Sequence, residues 1–354
     1  MIDSPRTKVG VVFGGVSSEH NVSIKSAKTI VNALRGPSNQ NKFEVINTYI
    51  DKEGKWWTGS IAENILINPS AKDSIKTFPK NENKKFKFSP KNIEAIDIWF
   101  PVLHGPNGED GSVQGFFQLT DKPFVGSGIL GSAIGMDKIV MKTVFAAAGL
   151  PQAPYIALTE DDFSEKESLI SLIAQIKNSL GYPCFIKPAN LGSSLGITKA
   201  YSSEEVSIGL KLASTFDKRI VVEKSISGRE LECAVLGKKN MRASTVGEIS
   251  FDSDWYDYET KYSDSLSSTL IPAPIPKRTI KKIQDLSLIA CKAISAEGIA
   301  RVDFFFNENK DQLWINEINT LPGFTKQSMY PLLWEKSGIN LEELVAILVE
   351  TARE

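Results

Sequence analysis

Near its C-terminal end the chain holds two apolar runs, ARVDFFF (300–306) and QLWINEI (312–318), divided by a polar turn and carrying polar or ionisable residues at intervals. Side chains alternate along a strand, so Arg301 and Asp303 share one face and Glu317 and Asn319 share one face. With the turn over 307–311 centred near Lys310, Asp303 and Glu317 lie equally far from the centre, and the two faces coincide. The neighbours Val302, Phe304, Phe305, Phe306, Leu313, Trp314, Ile315 and Ile318 are apolar, which predicts a sheet covered on both sides. Two carboxylates brought close under such cover repel, and without a cation one must take up a proton. Three oxygen donors beside one arginine suit Mg²⁺, which sits between one or two carboxylates and a nucleotide's phosphates. The competing reading is a salt-bridged strand pair on a wet sheet face.

The other end of the chain starts a different architecture. Residues 8–13 read as a buried strand, Gly14 and Gly15 as a turn, and the polar segment after them opens a helix through Ala27 and Leu34. Strand, tight turn and helix begin a parallel α/β sheet. A strand at 43–50 runs into a hairpin around 51–57, and another at 96–102 leads directly into HGPNGEDG. Residues 60–92 are polar and lysine-rich, which predicts a solvated excursion with weak structure, a binding patch being the alternative. Gly126, Gly128, Gly131 and Gly135 mark a hinge or boundary. Asp137 is placed to cap a helix that runs to about Leu150, with Gly149 near its end and Pro151 beyond. Strands are expected at 182–187, 195–199 and 220–223 around helices at 169–180 and 204–216. The last third mixes strands at 231–236, 301–306 and 312–318 with helices at 279–297 and 341–353.

Composition removes several function classes. The 354 residues are enough for two or three domains. Forty-one Lys and Arg against forty-two Asp and Glu leave a net charge of −1, so no overall field favours nucleic acid or an anionic membrane. No window approaches the roughly 18 apolar residues a membrane helix needs, and the apolar run at 9–13 is too short for a signal peptide. Cys184, Cys233 and Cys291 have no paired spacing and are expected to be reduced thiols packed as small apolar residues in the cytosol. His20 and His104 are the only histidines, so a zinc site of His or Cys ligands is not expected.

Five further segments carry candidate chemistry. KPANLGSSLG (187–196) lies between two apolar strands; its backbone amides and hydroxyls suit phosphate oxygens, with Lys187 as a point charge, or it is a hairpin turn of small residues. VVEKSISGRE (221–230) places Glu223 and Lys224 at a strand end where backbone groups can read an adenine edge and Glu230 can reach ribose hydroxyls; a surface turn is the alternative. YDYETKY (256–262) stands in an aperiodic stretch over 251–276 and reads as a lid, or as a surface loop with packed tyrosines. GGVSSEH (14–20) and HGPNGEDG (104–111) each follow a parallel strand, where ligand crevices of α/β sheets lie, and Glu19 is either an ammonium anchor or a helix cap. GSGILG (126–131) matches the dinucleotide pattern but follows only Phe124 and Val125, and Glu160 stands 29 residues beyond Gly131, against about 20 for the fingerprint.

In their order along the chain, GGVSSEHNVS, LHGPNGEDGSVQG, GSGILGSAIGMDK, IKPANLGSSLG, VVEKSISGRELECAVL, YDYETKY, ARVDFFF and NEINTLPGFTKQS resemble the D-alanine:D-alanine ligase family of the ATP-grasp superfamily. They span residues 14 to about 328. The resemblance implies a mixed α/β and α+β chain with the ATP-grasp fold. Its parts would be an N-terminal parallel α/β domain over 1–126, a central domain over 127–224, and a C-terminal domain over 225–354 bearing the metal site and lid.

By motif, the resemblance assigns Lys138 and Lys187 to nucleotide phosphates, with Lys261 joining when the lid closes. Glu223, Lys224 and Ile226 would frame adenine, and Glu230 would hold ribose. Asp303, Glu317 and Asn319 would bind two Mg²⁺, with Mn²⁺ as a substitute. Glu19 would hold the first D-alanine's ammonium group, with Ser193, Tyr262 and His104 nearby. Arg301 and the Gly323 amide would stabilise the oxyanion, and Ser328 with the Met329 amide would take the second D-alanine's carboxylate. The family further implies ATP and D-alanine as small-molecule substrates, a homodimer, a cytoplasmic location and a role in peptidoglycan synthesis. D-lactate or D-serine as second substrate, and a nucleotide-binding regulator without catalysis, are the readings set against it.

Overall fold

The computed structural model describes residues 5–68, 93–192, 195–251 and 267–354. Three sheets follow one another along the chain. The first has the order β3-β2-β1-β4, with β1 (Thr7–Gly14) parallel to β2 (Phe43–Ile50) and to β4 (Ile98–Val102), and β3 (Trp56–Thr58) antiparallel to β2. The continuous apolar run of β1 serves both faces. Val9, Val11 and Phe13 enter one core with α1 (His20–Leu34), while Val12 packs with Trp99, Leu103 and Phe117 on the other side. That is the pattern of a parallel sheet covered twice.

The second sheet, β5-β8-β6-β7, is built from β5 (Tyr155–Thr159), β6 (Cys184–Pro188), β7 (Thr198–Ala200) and β8 (Arg219–Lys224), all antiparallel. With α6 (Lys166–Ser179) and α7 (Ser203–Ser214) it encloses a separate apolar cluster around Ile176, Ile186, Leu210 and Val222. The chain enters this unit through 151–154 and leaves it at Lys224. The two crossings touch, because the Lys224 amide donates to the Pro154 carbonyl at 2.9 Å. The entry strand is also tied to the third sheet, the Ile315 amide donating to the Pro151 carbonyl at 2.8 Å.

The third sheet, β11-β10-β9-β12-β13, comprises β9 (Arg229–Gly237), β10 (Arg242–Phe251), β11 (Ser267–Leu270), β12 (Gly298–Asn307) and β13 (Gln312–Asn319). One face packs on α8 (Lys277–Ile294) together with Met141 and Phe145 of α5 (Lys138–Ala147). Its other side contributes Ala234, Leu236 and Ile299 to the core of the first sheet, closed by α9 (Met329–Lys336) and α10 (Leu341–Thr351). First and third sheets thus share one apolar cluster, and the second has its own.

Two sequence expectations are corrected. Residues 60–67 are not a weakly structured excursion but the helix α2 (Ser60–Ile67), because Ala62, Ile65 and Leu66 fall on one side and are buried against the first core. The rest of that segment, 69–92, lies outside the described residues. The aperiodic stretch over 251–276 contains β11, paired antiparallel with β10 from Glu248–Leu270 to Phe251–Ser267. Sequence periodicity also passed over α3 (Ser112–Leu119), α4 (Ile129–Met136), β10 and α9, which are short or carry glycine and serine in place of a clear apolar stripe.

The glycine-rich run at 126–135 serves packing. A Cβ on Gly131 would overlap the Ser295 carbonyl oxygen at the end of α8, so the close approach of α4 to that turn requires glycine. Gly131→Ala is expected to lower stability by about 1–3 kcal/mol, as overpacking does, and to leave nucleotide affinity unchanged; denaturant unfolding beside a nucleotide titration checks both.

Candidate active site

The site begins on the third sheet. In β12 and β13 Asp303 pairs with Glu317 and Arg301 with Asn319, as the alternation predicts. The register then shifts, because Phe304 pairs with Ile315 and Asn316 is the extra residue of a bulge. Without the bulge Ile315 and Ile318, three residues apart, would face opposite ways; both are buried in one core. On the other side of β12, Glu232 of β9 pairs with Asp303 and Glu230 with Phe305, which brings Glu230 and Glu232 to the same face.

Arg301 organises this face. Its Nε and Nη2 donate to the two oxygens of Asp303 at 2.8 and 2.7 Å, and Nε lies 3.0 Å from Glu232 Oε2. Burial alone would lower the Arg301 pKa, but Asp303, Glu232 and Glu317 raise it well above the usual arginine value. The cation that the two-carboxylate argument demands is thus supplied at Asp303 and Glu232 by a guanidinium in the fold itself. Glu232 was missed in the sequence, although it stands two residues from Glu230 and so on the same face. Asn319 Oδ1 accepts from the Leu321 amide at 2.9 Å, which fixes its side chain and leaves an acceptor lone pair. Asp303, Glu317 and Asn319 are hard oxygen donors on adjacent register positions, a donor set that fits Mg²⁺. Among the described residues no three His, Cys, Asp or Glu side chains form a metal-binding group.

The second sheet supplies the cationic side. In β6 and β8, Lys187 pairs with Val221 and Phe185 with Glu223, so Lys187 and Glu223 are diagonal neighbours. Lys187 Nζ donates to Glu223 Oε2 at 2.8 Å, and Lys142 Nζ of α5 lies 2.9 Å from Glu223 Oε1. Burial would raise the Glu223 pKa, but the ammonium groups of Lys142 and Lys187 override it and hold the carboxyl down to about 2. Burial lowers Lys187 while Glu223, Glu317 and Glu230 raise it, with a net rise. Two of those carboxylates belong to the third sheet, so Lys187 lies within the field of the acidic face opposite. Lys142 escaped the sequence reading; its signal is its position four residues, one helical turn, after Lys138.

Lys138 Nζ donates to the Leu191 carbonyl at 2.7 Å and thereby grips the loop after β6. Asp137 caps α5 through the amides of Ile139 and Val140, both at 3.0 Å, and is ion-paired with Arg219. Lys224 is exposed and its amide is used at Pro154, whereas Ile226 is half-buried. Ser193, Lys261 and Tyr262, and the whole of 256–262, lie outside the described residues.

The first sheet closes the third side. Glu19 precedes α1, and its side chain makes no capping bond there. A Cβ on Gly105 or on Gly192 would come within 3.1 or 3.4 Å of Glu19 Oε2, so this carboxylate lies against both the 104–111 loop and the loop after β6. His104 is buried, 3.9 Å from Glu109 Oε1. Burial lowers the His104 pKa, but Glu109 and Glu19 outweigh it and raise it. Burial and Glu19 raise the Glu109 carboxyl against the pull of His104. At the C-terminal turn, a Cβ on Gly323 would reach Ser328 Oγ at 3.1 Å, and Ser328 Oγ accepts from the Thr325 amide at 2.9 Å. Gly323, Ser328 and the start of α9 at Met329 therefore form one turn.

Two antiparallel sheets, one presenting Lys187 and Glu223 and the other Arg301 with its carboxylates, are the arrangement of the ATP-grasp class. A family profile described as D-ala D-ala ligase C-terminus matches residues 144–350, and its N-terminus counterpart matches residues 8–127. The chain belongs to the D-alanine–D-alanine ligase family. It is 62% identical over 344 residues to a D-alanine–D-alanine ligase of Prochlorococcus marinus, covering 97% of this chain and 98% of the relative. It is 56% identical over 357 residues to one of a Synechococcus species, covering 100% of both. Among solved structures, the D-alanine-D-alanine ligase of Coxiella burnetii is 32% identical with a TM-score of 0.81, over 99% of this chain and 94% of that one. The VanG D-Ala:D-Ser ligase of Enterococcus faecalis is 31% identical with a TM-score of 0.83, over 98% and 100%.

Proposed function

We propose that the protein joins two D-alanine molecules into D-alanyl-D-alanine at the expense of ATP, for peptidoglycan synthesis. The observation that carries the reading is the position of Lys187, bonded to Glu223 at 2.8 Å and raised by that carboxylate first and then by Glu317 and Glu230 of the third sheet. Lys187 and the acidic face are therefore close enough to act on each other.

A carboxylate is a poor electrophile, since its charge repels a nucleophile and oxide cannot leave. Transfer of the γ-phosphoryl group to the first D-alanine's carboxylate gives an acyl phosphate, with ADP leaving; the second D-alanine's free amine then attacks the acyl carbon and phosphate departs. Lys138 and Lys187 hold phosphates, Glu223, Lys224 and Ile226 frame adenine, and Glu230 holds ribose. Glu19 takes the first ammonium group, with Ser193 and Tyr262 nearby. Arg301 and the Gly323 amide receive the oxyanion charge, and Ser328 with the Met329 amide takes the second carboxylate. Asp303, Glu317 and Asn319 would hold Mg²⁺, which when bound offsets the charge of the phosphates. No side-chain nucleophile is needed, and alignment of bound reactants can supply about 7–11 kcal/mol.

The division into 1–126, 127–224 and 225–354 belongs to the same reading, supported by the three sheets; α5, however, packs on the third sheet's core. So do the homodimer and the cytoplasmic location, and among the described residues no helix is long and apolar enough to cross a membrane. The test is phosphate release with ATP and Mg²⁺ plus D-alanine, L-alanine, D-lactate or D-serine, with the product mass determined. Release dependent on D-alanine with a product of the dipeptide's mass is expected. A mixed product with D-serine would move the second substrate toward that of the Enterococcus neighbour. No release with any of them would favour the regulator.

A further inference from the structure

Helix α1 carries more than the Glu19 anchor. Glu19, Ser23 and Ser26 stand at i, i+4 and i+7, on one side of the helix. Ser23 is absorbed by the first sheet: its Oγ accepts from the Gly14 amide at 2.7 Å and donates to the Val102 carbonyl. Ser26 reaches a different part of the molecule. It is fully buried, and its Oγ accepts from the Phe324 amide at 3.1 Å, 298 residues away in sequence. The same Oγ lies 3.3 Å from His104 Nε2, and His104 Nδ1 lies 3.1 Å from the Leu321 carbonyl.

The carbonyl at one end and the amide at the other fix two of the three bonds in this chain. The Leu321 carbonyl only accepts, so Nδ1 of His104 carries the hydrogen and donates. Nε2 and Ser26 Oγ share the remaining bond in either charge state of the ring: the neutral ring accepts the hydroxyl hydrogen, and the protonated ring, which Glu109 and Glu19 favour, donates to Oγ. The result is a closed relay, Phe324 N–H to Ser26 Oγ to His104 to Leu321 C=O, that leaves the 321–324 turn and returns to it. The peptide joining Pro322 to Gly323, which bears the Gly323 N–H, is bracketed by the two anchored peptide groups. Each bond alone contributes little, but a closed relay buried from water polarises along its length and resists opening.

We propose that Ser26, acting with His104, is a positioning residue for ligation: it holds the 321–324 turn so that the Gly323 amide is aimed at the developing oxyanion. The proposal rests on the reading of Gly323 as an oxyanion donor. It gives the first sheet a second role, because the helix that begins at the substrate anchor also aligns the donor on the far side of the cleft.

The test uses Ser26→Ala and, nearly conserving volume with a weaker acceptor, Ser26→Cys, in the full-length enzyme. Two readouts are taken: hydrogen exchange of the Phe324 amide, and the steady-state constants for dipeptide formation. In Ser26→Ala the Phe324 amide should exchange about tenfold faster, the loss of one buried hydrogen bond. Its kcat should fall about tenfold, part of what outright removal of an oxyanion donor costs, with KM for ATP within about twofold. Ser26→Cys should lie between the two. Unchanged exchange would overturn the brace itself. Faster exchange with wild-type kcat would overturn the positioning role and locate the failure in the reading of Gly323. A rise in KM for ATP with kcat preserved would likewise overturn it, as the mark of general loosening.

Discussion

Arg301→Ala is expected to cut kcat by about a hundredfold or more, the cost of removing one preorganised oxyanion donor. The structure adds a second consequence. Arg301 holds Asp303 through two bonds and lies 3.0 Å from Glu232, so the alanine variant leaves two half-buried or buried carboxylates without their cation. Breaking a buried pair from one side costs about 3–5 kcal/mol, so the variant should also melt earlier. Arg301→Lys separates the two effects. It keeps the positive charge but lacks the planar fork, so it should regain part of the stability and little of the turnover. Steady-state kinetics and thermal unfolding of both variants decide the matter, and near-normal turnover in Arg301→Ala would remove this residue from the reaction.

Glu223→Gln is expected to lose nucleotide affinity and stability together. With its carboxyl held down to about 2 against an ordinary 4.5, Glu223 contributes about 3 kcal/mol at neutral pH, at about 1.4 kcal/mol per pH unit. The sign follows from the depressed value. The contribution is complete above pH 4.5 and is lost as the pH falls toward 2, because the unfolded chain takes up its proton first. The glutamine variant should therefore be about 3 kcal/mol less stable at pH 7 and show a flatter acid limb than the parent. Denaturant unfolding across that range provides the check. The KM for ATP should rise, since Lys142 and Lys187 lose the group that spaces them, and Lys142→Met should reproduce part of both changes.

The pairing of Asp303 with Glu317 was legible in the sequence because a strand's period of two is rigid and the turn is short. The symmetry argument gave the right partners for an incomplete reason. The turn closes between Asn307 and Gln312, half a residue before Lys310, and the bulge at Asn316 makes up the difference. Bulges leave no single-residue signature, so this could be seen only in three dimensions. Lys142 and Ser26 were missed for a related reason. Each looks like an ordinary polar residue on a helix until the tertiary fold places Glu223 or Phe324 against it. The helix α2 was hidden by the lysine-rich composition that follows it, although Ala62, Ile65 and Leu66 already carried helical spacing.

The touching crossings at Pro154 and Lys224 have a mechanical consequence. A unit with its own core, joined to the remainder by two segments that lie side by side, has its natural hinge line at that crossing. Lys142 belongs to a helix packed on the third sheet, and its bond to Glu223 lies next to that line, where a rotation would displace atoms least. At the other end of the unit Lys138 grips the Leu191 carbonyl and Asp137 pairs with Arg219, so a swing about that line has to break these contacts with the start of α5 first.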